Sequence, residues 1–235
     1  MNRCPHCRTW GSVPAAQADR DPRRDLGIVP STKSPPPAPP RLLTHLDALD
    51  RLLGGGVAHP TSTLLAGEPG AGKTTLCTQI LHGVAVGGHR CLYASGEESQ
   101  GAVLRRFHRI AASHDGVDVL ELTDLAVLYR QAHRYRLAVV DSIQSFGEGI
   151  REVRHNIKRL QQLPRGGTSV IILGHVTSDG SIAGPRTLEH YVDAVLALNL
   201  DRVLTVHKNR NGVAPARCAY RMTSGGLIPA PVRSR

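Results

Sequence analysis

Gly67-Glu68-Pro69-Gly70-Ala71-Gly72-Lys73-Thr74 is the stretch on which the fold turns. It matches GxxxxGK[ST] at every position, follows the apolar run Thr61 to Ala66, and opens a segment of helical character from 73 to 86. A strand that feeds a glycine-rich turn and then a helix leaves backbone N–H groups converging with no Cβ in the way, which is a phosphate cradle. Lys73 brings positive charge to the β and γ phosphates, and the Thr74 hydroxyl is suited to Mg²⁺. Gly67, Glu68, Pro69, Gly70, Ala71, Gly72, Lys73, Thr74 and the adjoining Thr75 are therefore the expected nucleotide-binding residues, with ATP and Mg²⁺ as cofactors. A purely structural glycine turn is the alternative, and the Lys-Thr pair in this strand-to-helix context argues against it.

Outward from the loop, short apolar runs alternate with amphipathic segments. Thr61 to Ala66, Arg90 to Ser95, Leu137 to Asp141, Thr168 to Gly174, Ala194 to Leu200 and Val203 to His207 read as strands. Segments 73 to 86, 99 to 112, 122 to 134 and 151 to 162 read as helices. This alternation predicts an α/β fold: a mostly parallel sheet with helices on both faces, and an antiparallel C-terminal extension where little separates the later strands. Ligands of such sheets bind at the carboxyl ends of strands, so the residue at each strand tip carries the chemistry.

Two tips bear carboxylates. Leu137-Ala138-Val139-Val140-Asp141 is an apolar strand ending in an acid, and beside a phosphate loop Asp141 is expected to hold a Mg²⁺-bound water. The bland reading of Asp141 is a turn-starting acid. Tyr93-Ala94-Ser95-Gly96-Glu97-Glu98-Ser99 follows another strand, and one carboxylate there is placed to take a proton from an attacking water or to orient it. Glu97 is the preferred one, because Glu98 also suits the start of the next helix.

The chain has 235 residues and a net charge of +10, enough for one sizeable domain with a tail. Residues 1 to 40, 41 to 150 and 151 to 235 contribute +3, −1 and +8, so the basic excess lies in the last third. Such asymmetry is a footprint of a polyanion partner, and equally of an arginine-rich genome. No run approaches 18 apolar residues and the start has no signal-like core, so the expectation is a cytoplasmic protein with no membrane partner. The five cysteines form no disulfide framework.

Further motifs give these residues a family likeness. Leu53-Gly54-Gly55-Gly56, the phosphate loop, the 93 to 99 run, Asp141-Ser142-Ile143-Gln144, Gly174-His175-Val176-Thr177, Gly180-Ser181-Ile182-Ala183-Gly184-Pro185-Arg186, Leu188-Glu189-His190, Val192-Asp193 and Lys208-Asn209-Arg210 resemble the bacterial RadA/Sms DNA repair and recombination ATPases, relatives of RecA. The resemblance covers about residues 41 to 228, and the His175 to Asp193 run is its most specific part. It implies a RecA-like P-loop core, ATP hydrolysis coupled to single-stranded or branched DNA, branch migration of recombination intermediates, and a homo-oligomer that closes as a hexameric ring. It also implies residue roles. Lys73 and Glu97 serve hydrolysis, His175 is the polar sensor linking the γ-phosphate to a DNA-binding loop at about Val176 to Arg186, and Ser181 and Arg186 meet DNA. Lys208 and Arg210 support DNA coupling and reach a neighbouring subunit's nucleotide. A Ser- and Gly-rich loop with one Arg suits a sugar-phosphate backbone, and two cations spaced i, i+2 beyond a strand project together.

The sequence also departs from that family. The family opens with a four-cysteine zinc module, whereas residues 1 to 10 offer Cys4-Pro5-His6-Cys7, matching its second half. Zinc takes four ligands, so Zn²⁺ at Cys4 and Cys7 requires ligands from elsewhere, and a partial zinc-knuckle remnant is the expectation. Residues 11 to 40, with Pro35-Pro36-Pro37-Ala38-Pro39-Pro40, are expected to be a disordered linker, 41 to 228 the ATPase core and 229 to 235 a basic tail. Asn211 stands where the family has Phe, and the sequence stops near the start of the family's Lon-protease-like domain. A DNA-dependent ATPase is the first reading. A non-motor nucleotide- and DNA-binding accessory protein is the second, and a KaiC-type signalling ATPase, transferring phosphate to its own Ser or Thr, is the third. With 3% aromatic residues, DNA affinity is expected to rest on phosphates and to fall steeply with salt.

Overall fold

In chain order the first elements are β1 (Arg41–Leu42), α1 (Asp47–Leu53), β2 (Val57–Ala58), β3 (Ser62–Gly67), α2 (Lys73–Val86), β4 (Cys91–Ser95), α3 (Gln100–Arg109) and β5 (Val117–Glu121). There follow α4 (Leu125–Gln131), β6 (Leu137–Asp141), α5 (Ile150–Leu160), β7 (Ser169–His175), β8 (Ala194–Leu198), β9 (Val203–Asn209), β10 (Ala216–Thr223) and β11 (Gly226–Ala230). This computed structural model describes residues 34, 35, 37–147, 149–175 and 186–230, with backbone alone at 150, 175 and 186–188. All elements lie within the unit formed by residues 38–235. Cys4, Cys7, Ser181 and most of the linker and tail expected from sequence lie outside the described residues.

Nine strands of the described residues form one sheet in the order β11-β10-β9-β8-β3-β7-β6-β4-β5. From β8 through β5 the neighbours are parallel, whereas β9, β10 and β11 run antiparallel to their neighbours. This is the expected α/β sheet with its antiparallel extension. All residues of β3, β4 and β6 are buried, which is why they read as continuous apolar runs.

Alternation along the strands divides the core. Leu65, Tyr93, Val139 and Ile171 pack with Leu76, Ile80, Val103 and Phe107 of α2 and α3. Leu64, Leu92, Val140 and Ile172 face the other way, onto Leu125, Leu128, Val153 and Ile157 of α4 and α5. Ten of the 14 residues of α2 are buried, so it is a core helix rather than a surface one. By contrast α5 buries Val153, Asn156, Ile157 and Leu160 and exposes Arg151, Arg154, His155, Lys158 and Arg159.

Some elements leave little trace in the sequence. β5 is a half-exposed edge strand carrying Asp118 and Glu121, so it shows no apolar run. The helix expected over 122 to 134 is shorter, α4 giving way to a 3₁₀ turn at Ala132–Arg134. α1 has only seven residues, too few for periodicity. Its end explains the Gly54-Gly55-Gly56 run: Gly54 caps the helix in the left-handed region, and the N–H groups of Gly55 and Gly56 both donate to the Asp50 carbonyl. Gly56 has φ 110°, and a Cβ there would stand 2.4 Å from the Leu42 carbonyl oxygen. No described helix is long and apolar enough to cross a membrane.

Candidate active site

The phosphate loop emerges at the middle of the sheet. β3 lies between β7 and β8, with Gly67 in register with His175 on one side and Leu198 on the other. Gly72 takes φ 107° as the N-cap of α2, a conformation that L side chains rarely adopt. No side chain caps α2 and no acid occupies its first turn, so its leading N–H groups are left to receive an anion. Within the loop Glu68 and Thr74 are half-buried, Pro69 and Gly70 exposed, and Ala71 and Thr75 buried. The Lys73 ammonium donates to the carbonyls of Gly67 at 2.7 Å and Glu68 at 2.9 Å. Burial lowers its pKa, while the charges of Asp141 and Glu97 pull the other way, so these three groups share one electrostatic site.

Asp141 stands at the tip of β6. Its Oδ2 accepts from the Thr74 hydroxyl at 3.1 Å and from the Tyr93 hydroxyl. Burial raises its pKa, and the Tyr93 hydrogen bond is the largest opposing influence. A neutral hydroxyl and a carboxylate side by side at the start of α2 fit Mg²⁺, which takes one or two protein oxygens and completes its shell with water and phosphate oxygens. Among the described residues no cluster of three or more His, Cys, Asp or Glu side chains could cage a metal. The arrangement thus suits a metal shared with phosphate.

Glu97, exposed at the tip of β4, accepts a hydrogen bond from the buried Ser142 hydroxyl. The Gly96 N–H donates to the Asp141 carbonyl at 2.7 Å, tying the two carboxylate-bearing tips together. Glu98 is turned away, its carboxylate 2.6 Å from the Arg106 guanidinium. Of the pair, Glu97 is the one left beside Asp141.

Other sequence-predicted residues sit elsewhere. The backbone of His175 ends β7 beside Gly67, but its side chain and residues 176–185 are outside the described residues; Arg186 starts a 3₁₀ turn ending at Tyr191. Lys208 lies within β9, not beyond the strand as expected. Lys208 and Arg210 do project together, onto their own chain: the Lys208 ammonium donates to the carbonyls of Glu189 at 2.8 Å and Val192 at 2.7 Å, and Arg210 pairs with Asp193 at 3.1 Å. The reversal between β8 and β9 is the cause, because it sets Asn209 opposite Ala194 while Leu198 stays level with Gly67. Lys208 and Arg210 are therefore at the opposite end of the sheet from this chain's phosphate loop, roughly 13 Å along the strands.

Tyr93 and Ser142 stand within the motifs but have no role that the sequence assigns. A tyrosine inside a strand buried on both faces needs a partner for its hydroxyl, and that signal points to Tyr93. Nothing comparable points to Ser142.

The AAA domain family model matches residues 35–181. The protein named DNA repair protein RadA in Mycolicibacterium smegmatis is 34% identical over 97% of this chain and 55% of its own length. Its namesake in Escherichia coli is 36% identical over 80% of the chain and 44% of its own length. In Bacillus subtilis the figures are 32%, 97% and 56%. The chain thus spans about half the length of the curated relatives it matches. Among solved structures, a KaiC-like protein from the archaeon Pyrococcus horikoshii superposes with a TM-score of 0.72 at 22% identity, over 83% of this chain and all of that one. That likeness concerns the fold.

Proposed function

The chain is a RadA-like member of the AAA domain family, and from that premise we propose that it hydrolyses ATP with Mg²⁺ in DNA repair and recombination. The observation that carries this reading is the convergence of Lys73, Thr74, Asp141 and Glu97 at the tips of three strands. Lys73 and the open N–H groups of α2 bind the phosphates and neutralise charge that builds on them. Thr74 and Asp141 would hold Mg²⁺, which when bound would neutralise charge on the phosphate oxygens. Glu97 orients the attacking water and takes its proton, and the Ser142 hydrogen bond restrains its carboxylate.

DNA is the proposed partner, single-stranded or branched. Ser181 and Arg186 on the segment after β7 would follow its backbone, with His175 at the strand tip linking that segment to the γ-phosphate. The exposed cations of α5 add a basic face with one acid, Glu152, on the helix. Lys208 and Arg210 are too far along the sheet to serve their own loop, so any part they take in hydrolysis is at the nucleotide of a neighbouring copy in a homo-oligomer, such as a hexameric ring. The proposed setting is the cytoplasm.

Turnover of ATP with and without single-stranded DNA, across a salt series, tests the proposal. DNA should accelerate hydrolysis at low salt and lose its effect as salt rises, and Lys73→Ala should abolish turnover. If DNA neither binds nor stimulates at low salt, the DNA-dependent part falls. One observation favours the second reading, a non-motor accessory: Lys208 and Arg210 are both engaged by their own chain. Chromatography with ATP and DNA separates the two. A motor assembles into rings, whereas an accessory stays small until a relative is supplied.

A further inference from the structure

The sheet order separates the two ends of a nucleotide. Asp141 and Glu97 leave β6 and β4 on one side of the loop that follows β3, and β8 to β11 lie on the other. A triphosphate whose terminal phosphate met Thr74 and those carboxylates would extend away from them, with its nucleoside toward the β8 to β11 side.

That side is bounded by the β10–β11 hairpin, in which Met222 pairs with Leu227 and Thr223 with Gly226. Gln79 of α2 grips the hairpin with both amide atoms, donating to the Leu227 carbonyl at 3.1 Å and accepting from its N–H at 2.9 Å. The grip brings two side chains onto the last glycine of the phosphate loop. A Cβ on Gly72 would stand 3.1 Å from Cε of Met222 and 3.3 Å from Cδ1 of Leu227. Leu227 is 2% exposed, but Met222 is 37% exposed. Tyr220, two residues earlier on the same face of β10, is buried, so this face passes from core to open surface at Met222, beside the N-terminus of α2.

We propose that Met222 is the base-facing wall of the nucleotide site, packing its thioether against the flat face of the base of a nucleoside triphosphate. A polarizable, unbranched side chain makes favourable contacts with aromatic rings and adapts to their outline. It offers no hydrogen bond to a base edge, so this wall discriminates weakly between purines, which polar contacts are needed to distinguish. The proposal rests on the reading of the loop as a nucleotide site, and the test keeps the two apart.

Binding of ATP, GTP and inorganic tripolyphosphate, each with Mg²⁺, is measured by calorimetry on the full chain, Met222→Ala and Met222→Leu. Truncation to Ala should weaken ATP and GTP alike by about tenfold and leave tripolyphosphate within about twofold, while Leu holds ATP within about threefold of the parent. Unchanged ATP affinity in Met222→Ala overturns the proposal. So does an equal loss for tripolyphosphate, which would mean that the loop itself had been disturbed. If the parent chain binds neither ATP nor tripolyphosphate, the nucleotide reading fails, and the wall with it.

Discussion

The Thr74 hydroxyl donates across 3.1 Å to Oδ2 of Asp141, joining the first turn of α2 to the tip of β6. Tyr93 donates to the same oxygen from β4. Three elements thus meet on one carboxylate, and the mutational consequences differ according to which partner is changed.

Asp141→Asn keeps the shape of the side chain but removes the charge that a hard cation requires. Turnover in Mg²⁺ should fall by about 100-fold or more, with nucleotide affinity in the absence of Mg²⁺ little changed. Tyr93→Phe, which removes a supporting hydroxyl, should raise the Mg²⁺ concentration needed for half-maximal turnover by about tenfold. A Mg²⁺ titration of turnover and binding reads both.

Gly56→Ala should be among the more damaging small substitutions. Its φ of 110° is unfavourable for any L side chain, and the new Cβ meets the Leu42 carbonyl oxygen at 2.4 Å. A loss of about 2 kcal/mol in urea unfolding is expected. Gly166, with no neighbour within 4 Å of a Cβ built there, is the control. Gly166→Ala should stay within about 0.5 kcal/mol of the parent.

His59 gives the fold an acid sensitivity remote from the phosphate loop. Its buried ring places Nδ1 2.9 Å from the Ser169 hydroxyl, and burial, followed by the charges of Arg136 and His89, lowers its pKa from 6.5 to about 4. Between those values the unfolded chain holds the extra proton and the folded chain does not, so stability rises with pH there. The contribution is complete above pH 6.5 and is lost as pH falls toward 4. A decline on the order of 3 kcal/mol between neutral pH and pH 4 should appear in denaturation curves, and flatten in His59→Gln.

Arg151 and Arg154 lie one turn apart on the exposed face of α5. If that face tracks DNA, the double change to Glu should weaken single-stranded DNA at low salt. It should also make the slope of log affinity against log salt shallower by roughly 0.7 for each phosphate no longer neutralised. An unchanged slope would remove α5 from the DNA path.

What could be read from the sequence follows from range. β6 matches its expected bounds and α2 begins at Lys73 as expected, because a strand buried on both faces and a loop with a fixed spacing are local signals. Lys73, Thr74 and Asp141 belong to that class. Ser142, Gln79 and Met222 do not, since each acts through an element that becomes its neighbour only when the sheet is assembled. Lys208 and Arg210 fall between: their spacing correctly put them on one side, but the end of the sheet they occupy depends on where the chain reverses after Leu198.

α2 has almost no solvent side, and Gln79 bolts it to the hairpin at the sheet's far edge. A rod enclosed in this way cannot tilt without breaking the layer on its flank. It is the anvil of the site, and if the chain hydrolyses ATP as proposed, any movement that results would leave through the strand tips beside it, at Ser95, Asp141 and His175.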